Sequence, residues 1–126
     1  MSIQLNHTVV VARDNQQSAE FMADVLGLEV GAPTGPFIPV TTANGVTLDF
    51  YTAPTHSEAF AHFAFLVSEE EFDHGLARLV ARGVTYYPGP SLNRPGEINT
   101  HDGGRGLYFL DDSGNTMELI TRPYGG

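Results

Sequence analysis

The chain contains no cysteine and no lysine. The first absence excludes thiol nucleophiles, disulfide staples, thiolate metal sites and iron–sulfur clusters. The second excludes Schiff-base chemistry. Positive charge is scarce altogether: six arginines stand against 15 Asp plus Glu, giving a formal charge of −9 and a pI near 4.7. No basic face is on offer to the phosphates of a nucleic acid or to an anionic membrane surface. No apolar run approaches the roughly 20 residues that span a bilayer. The opening Met-Ser-Ile-Gln-Leu-Asn lacks the positive region and apolar stretch of a secretory signal. A soluble cytoplasmic protein without nucleic-acid or membrane partners is the expectation.

At 126 residues, 41% of them hydrophobic, the chain is long enough for one packed core and too short for two ordinary domains. The groups left for chemistry are five His, the carboxylates, five Tyr, the arginines and the hydroxyls. Such a set suits a metal held by imidazole nitrogen and carboxylate oxygen.

An internal repeat organises the sequence. His7-Thr-Val-Val-Val-Ala12 is a β-branched run of strand type, followed by Asp14 as an N-cap with Gln17 three residues on. An apolar stripe at Phe21, Met22, Val25 and Leu26 then predicts a helix that stops at Gly27. The second half repeats this order. His62-Phe-Ala-Phe-Leu-Val67 is the strand, Ser68 to Glu71 the capping box, and Phe72, Leu76, Leu79 and Val80 the stripe, closed by Gly83. Later strands match without a gap: Gly45-Val-Thr-Leu-Asp-Phe50 aligns with Gly114-Asn-Thr-Met-Glu-Leu119. His7 and His62 are repeat-mates, and so are Asp49 and Glu118.

Alternation along a strand decides direction. His7, Val9 and Val11 look one way, as do His62, Ala64 and Leu66. Leu48 and Phe50 flank Asp49, and Met117 and Leu119 flank Glu118, so each acid points away from its bulky neighbours. The apolar side chains go under the helices, and imidazoles and carboxylates share the other face, which a curling sheet turns into a cleft. The rival reading of any one of these histidines is a hydrogen-bonded structural residue, and of Asp49 an acid at the cleft rim.

This order of residues resembles the vicinal oxygen chelate superfamily, which includes glyoxalase I, fosfomycin-resistance proteins, extradiol dioxygenases, methylmalonyl-CoA epimerase and bleomycin-resistance proteins. The resemblance runs from His7 to about Thr121. Its most specific piece is Tyr108-Phe-Leu-Asp-Asp-Ser-Gly-Asn-Thr-Met-Glu118, similar to the family's aromatic-Phe-x-Asp-Pro-Asp-Gly-Asn-x-x-Glu signature. Asp112 stands in place of the usual Pro and Ser113 in place of the usual Asp, both in a turn where Gly114 is kept. The resemblance implies an α+β fold: one domain over 1–126, made of two βαβββ modules over 1–52 and 60–122 whose curled mixed sheets surround a cleft. It implies one divalent ion (Zn²⁺, Ni²⁺, Mn²⁺, Co²⁺ or Fe²⁺) on His7, His62 and Glu118. Asp49 either ligates the ion, acts through water, or serves as a catalytic base.

Around that centre, Tyr108 is expected to turn its hydroxyl toward the cleft as a second catalytic group, the alternative being an ordinary half-buried tyrosine. Arg105 is the candidate for an anionic group of the substrate, with Asp102 or Asp111 as rival partners. His101, in a Gly-rich loop before the Tyr108 strand, and Tyr51, on the face of Asp49, complete the expected substrate wall. His74 reads as a solvated partner of Glu70, and His56 as linker surface. The implied activity is a metal-dependent lyase, isomerase or transferase of glyoxalase type that chelates vicinal oxygens of a small substrate. An Fe²⁺ extradiol-type dioxygenase and a metal-free drug-binding protein are the alternatives. So few arginines speak against a glutathione pocket or a phosphonate site, so the substrate is expected to be small, oxygenated and at most singly anionic. Half-barrel sheets with exposed edges are expected to be completed either between the two halves of one chain or across a homodimer, in which His7 would meet His62 and Glu118 of a second copy.

Overall fold

The computed structural model describes residues 2–54 and 61–123. His56, read as linker surface, lies outside the described residues. The chain divides into two compact units, Met1–Ser57 and Glu58–Gly126.

In the first unit the elements are β1 (His7–Ala12), α1 (Asn15–Leu26), β2 (Phe37–Thr41) and β3 (Thr47–Thr52). The helix begins where Asp14 Oδ1 accepts the Gln17 N–H at 3.0 Å, satisfying one of the donors that a helix start leaves without a partner. It ends at Gly27, whose φ of 69° is left-handed, with the Leu28 N–H donating back to the Ala23 carbonyl at 2.8 Å. The expected stripe is buried at Phe21, Met22 and Val25, with Leu26 half-buried at its margin. Beneath it the sheet runs β1-β3-β2, parallel between β1 and β3 and antiparallel between β3 and β2. Its even-numbered residues Val10, Ala12, Ile38, Val40, Leu48 and Phe50 are all buried. Truncating a fully buried phenylalanine such as Phe50 costs about 3–5 kcal/mol.

The second unit contains β4 (His62–Leu66), α2 (Glu69–Ala81), β5 (Tyr86–Tyr87), β6 (Gly106–Leu110) and β7 (Thr116–Ile120). The capping box forms in full: the Glu71 N–H donates to Ser68 Oγ at 3.1 Å and the Ser68 N–H to Glu71 Oε1 at 2.8 Å. The sheet order is β4-β7-β6-β5, with β4 and β7 parallel and the remaining pairs antiparallel. The buried line of α2 passes through Phe72, Gly75 and Leu79. That line turns Val80 outward, 61% exposed, although sequence spacing had included it in the stripe.

The fold is therefore α+β, with two curled mixed sheets of three and four strands. The first sheet carries one strand fewer than a βαβββ unit. Where the missing strand belongs, Val30 makes a single bridge to Val40. Pro33 and Pro36 follow within six residues and have no N–H to extend a ladder. Among the described residues no helix is long and apolar enough to cross a membrane.

Candidate active site

Glu118 is positioned by the turn that precedes it. Between β6 and β7 the Asp111 carboxylate folds back on the chain: Oδ1 accepts the N–H groups of Ser113 (2.9 Å) and Asn115 (2.8 Å), and Oδ2 accepts Asn115 Nδ2 (2.9 Å). Gly114 adopts φ 89°, a conformation that disfavours any side chain, which explains why the turn keeps glycine while tolerating Asp112 and Ser113 beside it. These bonds fix the register Leu110↔Thr116, and with it Tyr108↔Glu118. Asp111 is itself buried, and burial pushes its carboxyl above the ordinary 3.8, against the hydrogen bonds from Asn115 and Ser113 that pull it down.

Parallel pairing of β4 with β7 sets His62 opposite Thr116 and Ala64 opposite Glu118. His62 and Glu118 are thus diagonal neighbours on one face, and their side chains meet, with His62 Nε2 at 2.9 Å from Glu118 Oε1. The acid is 1% exposed, whereas 31% of the imidazole reaches solvent. Tyr108 stands on the same face, its ring centroid 5.7 Å from that of His62. The tyrosine is buried, as an aromatic wall rather than a half-buried surface residue.

A pocket of about 100 Å³ opens beside Glu118 and Tyr108 and is also lined by Asn99, His101, Ile120 and Arg122, among others. His101 begins a short 3₁₀ turn, and its N–H donates to Asn99 Oδ1 at 3.2 Å. Asn99 holds this loop to the sheet: its backbone exchanges two bonds with Gly106, at 2.9 and 3.0 Å, and its Nδ2 donates to the Pro88 carbonyl at 2.9 Å. Arg105 also borders the pocket, but its guanidinium is engaged elsewhere. Nε donates to Glu69 Oε1 and Nη1 to Asp73 Oδ1, both at 2.8 Å, and the group lies 4.4 Å above the Phe72 ring. Neither Asp102 nor Asp111 is its partner in these bonds. The bonds to Asp73 and Glu69 raise the Arg105 pKa further, and those from Thr121 and Arg105 lower that of Glu69.

The first unit carries the other expected residues on the open face of its own sheet. Register places His7 opposite Thr47 and Asp49 opposite Val9, so imidazole and acid are again diagonal neighbours. His7 is exposed, its Nδ1–H donating to Asn6 Oδ1 at 2.8 Å. Asp49 is half-buried, and Tyr51 packs against Phe37 with centroids 5.6 Å apart.

The donor chemistry of His62 and Glu118 fits a divalent ion. Two ligands about 2.1 Å from a cation and at right angles around it lie about 3.0 Å apart. The imidazole and carboxylate, hydrogen-bonded to each other at 2.9 Å, stand close to that spacing. Among the described residues no group of three His, Cys, Asp or Glu is gathered closely enough to hold a metal ion. Sequence reasoning missed Arg122 and the strut role of Asn99. Arg122 lies past the end of β7 at Ile120, where strand alternation gives no signal.

Comparison with known proteins identifies the family. Residues 4–119 match the family described as Glyoxalase/Bleomycin resistance protein/Dioxygenase superfamily. Glutathione transferase FosA of Serratia marcescens is 31% identical over 122 residues, covering 91% of this chain and 78% of that protein. Among solved structures, Oxidase ChaP-H2 is 52% identical with a TM-score of 0.95, over 100% of this chain and 98% of the other. Oxidase ChaP-H1 is 47% identical with a TM-score of 0.94, over 99% and 100%. The chain thus belongs to the glyoxalase/bleomycin resistance/dioxygenase superfamily, known also as the vicinal oxygen chelate superfamily, and is an enzyme of it.

Proposed function

We propose that the protein is a divalent-metal-dependent enzyme that takes a small substrate by two vicinal oxygens and oxidises it with dioxygen. The observation that carries this reading is the His62–Glu118 pair, its two donor atoms 2.9 Å apart on one face of a sheet beside a pocket. Two oxidases at about half identity across the whole chain favour oxidation over the glyoxalase-type chemistry that the sequence first suggested. The 31% identical glutathione transferase supports group transfer as the second reading. A metal-free drug-binding role is disfavoured, because the donor residues are retained.

His62 and Glu118 supply two ligands, and His7 is proposed as the third. The two units act as tandem modules, and His7 comes from a second copy in a homodimer. The exposed imidazole of His7 and the apolar side chains left in solvent on the open faces, Val9 at 44% and Leu66 at 61%, support a second copy as their cover. A divalent cation held by these residues would supply Lewis acidity to adjacent substrate oxygens and, as Fe²⁺, redox chemistry with dioxygen. The residues of the chain do the rest. Tyr108 walls the substrate and donates to an oxygen that gains negative charge, while Asp49 moves a proton. The protein is tested after anaerobic loading with Fe²⁺, by oxygen uptake with a series of catechols. Uptake that needs both iron and His62 supports the reading; unchanged uptake in His62→Ala overturns it.

A further inference from the structure

The pocket beside Glu118 contains a cation that the proposed chemistry does not use. Of the six arginines, Arg13, Arg78 and Arg82 have interactions of their own, Arg94 pairs with Glu97 at 3.5 Å, and Arg105 is held by Glu69 and Asp73. Arg122 lines the pocket and, among the described residues, has no ion-pair partner, although Asp102 borders the same space. Its position is built. A Cβ added to Gly104 would stand 2.5 Å from Arg122 Cγ and 3.1 Å from Arg122 Cβ, so the bare glycine is the space in which the stem of Arg122 rests. Thr121 is fixed beside it, its Oγ1 accepting the Arg105 N–H at 2.8 Å.

We infer that Arg122 recognises a carboxylate on the substrate, and that the substrate is a monoanion with a vicinal-oxygen head and a carboxylate tail. This inference rests on the metal-chelate reading of His62 and Glu118. Glu118 lies within β7, and Arg122 follows two residues after the strand ends at Ile120 and is exposed beside the same pocket. Ile120 and Tyr108 line the pocket with them and offer a ligand apolar and aromatic surface. The long-range field of a chain with net charge −9 opposes every anion. A preference for a charged tail over a neutral one therefore needs a local cation, and Arg105 has spent its donors on two carboxylates. Arg122 has not.

The test uses full-length protein loaded with Mn²⁺ under anaerobic conditions and titrated by calorimetry with two probes. They are 3-(3,4-dihydroxyphenyl)propionate and its neutral amide, which share the catechol head and differ only in tail charge. The acid is expected to bind about tenfold more tightly than the amide, the size of one charge-assisted contact. High salt is expected to shrink that ratio. In Arg122→Gln the ratio falls to about one, Arg122→Lys restores part of it, and Arg94→Gln, at the remote pair with Glu97, leaves it intact. Equal binding of acid and amide by the unmodified protein, or a ratio that survives Arg122→Gln, overturns the assignment and leaves the chelate reading standing. Failure of both probes to bind overturns the two together.

Discussion

His62 and Glu118 lie 56 residues apart in sequence, yet their side chains meet at 2.9 Å because parallel pairing of β4 with β7 makes them diagonal neighbours on one sheet face. The acid is almost fully buried at 1% exposure, and the imidazole keeps its outer edge in solvent. A buried carboxylate carries a desolvation cost. A divalent cation at the same place offsets that cost, so the pair is expected to be more stable with metal than without it.

Removing either member is expected to remove the metal. Glu118→Gln keeps the shape of the side chain and loses the anionic donor, and His62→Ala loses the nitrogen donor. Each variant is expected to bind Mn²⁺ or Fe²⁺ more than about a hundredfold more weakly. Metal analysis of untagged protein and metal-dependent thermal shifts check this. Metal content equal to that of the parent protein in both variants would end the assignment.

The proposed exchange of His7 between copies gives a sharper expectation. His7→Ala and His62→Ala proteins each lack metal when pure. When they are mixed, dissociated and reassembled, every heterodimer contains one site in which both defects are avoided. Random reassembly restores about one quarter of the parent metal content. Sites built within one chain regain none, and that result would refute the exchange.

Much of this face was legible in the sequence. The period of two put His62 and Glu118 on one face and Tyr108 beside them, because a buried sheet surface specifies register strongly. Both helix starts were readable from Asp14 and from Ser68 with Glu71, since N-caps act within three residues. What could not be read was set by contacts distant in sequence. The partners of Arg105 lie on the surface of α2, 36 residues from it in the case of Glu69, and no local pattern links the two. The strand missing after α1 depended on prolines outside it, which determine where the ladder with β2 stops. Val80 matched the helical spacing, but the way α2 settles on its sheet turned it outward.

Because the guanidinium of Arg105 is committed to Glu69 and Asp73, Arg105→Ala is expected to weaken the structure at that end of the sheet. The bridges are partly exposed, with Glu69 58% and Asp73 67% open to solvent, so the loss is a few degrees in Tm and diminishes in concentrated salt. Thermal melts of parent and variant at low salt and at about 1 M NaCl measure it. A salt-independent difference would mean that packing on Phe72, not charge, is what Arg105 contributes.

Gly104→Ala is expected to act on recognition through geometry. The new methyl meets the stem of Arg122 and, at 2.6 Å, Thr121 Oγ1, so one of them is displaced. The preference for the acidic catechol over its amide is expected to fall, together with Tm. A variant that melts lower but keeps the full preference would show that Arg122 can be repositioned without cost to binding.

The turn carboxylate gives a pH signature of unusual sign. Burial raises Asp111 above its ordinary 3.8, so the folded protein holds the proton more tightly than the unfolded chain. Its contribution to stability is complete below the unfolded value and is lost as pH rises through the folded one. Salt-bridged carboxylates such as Glu69, whose pKa is lowered, behave in the opposite way, so the comparison is made with a variant that cannot titrate at this position. Asp111→Asn keeps one acceptor for the N–H groups of Ser113 and Asn115 and loses the one for Asn115 Nδ2, at a cost of about 1–3 kcal/mol. The Tm advantage of the parent over Asp111→Asn is therefore expected to shrink as pH rises above the ordinary 3.8 and then level off. Melting curves at half-unit pH steps follow it, and an advantage that grows with pH would show that hydrogen bonding, not burial, governs the Asp111 carboxyl.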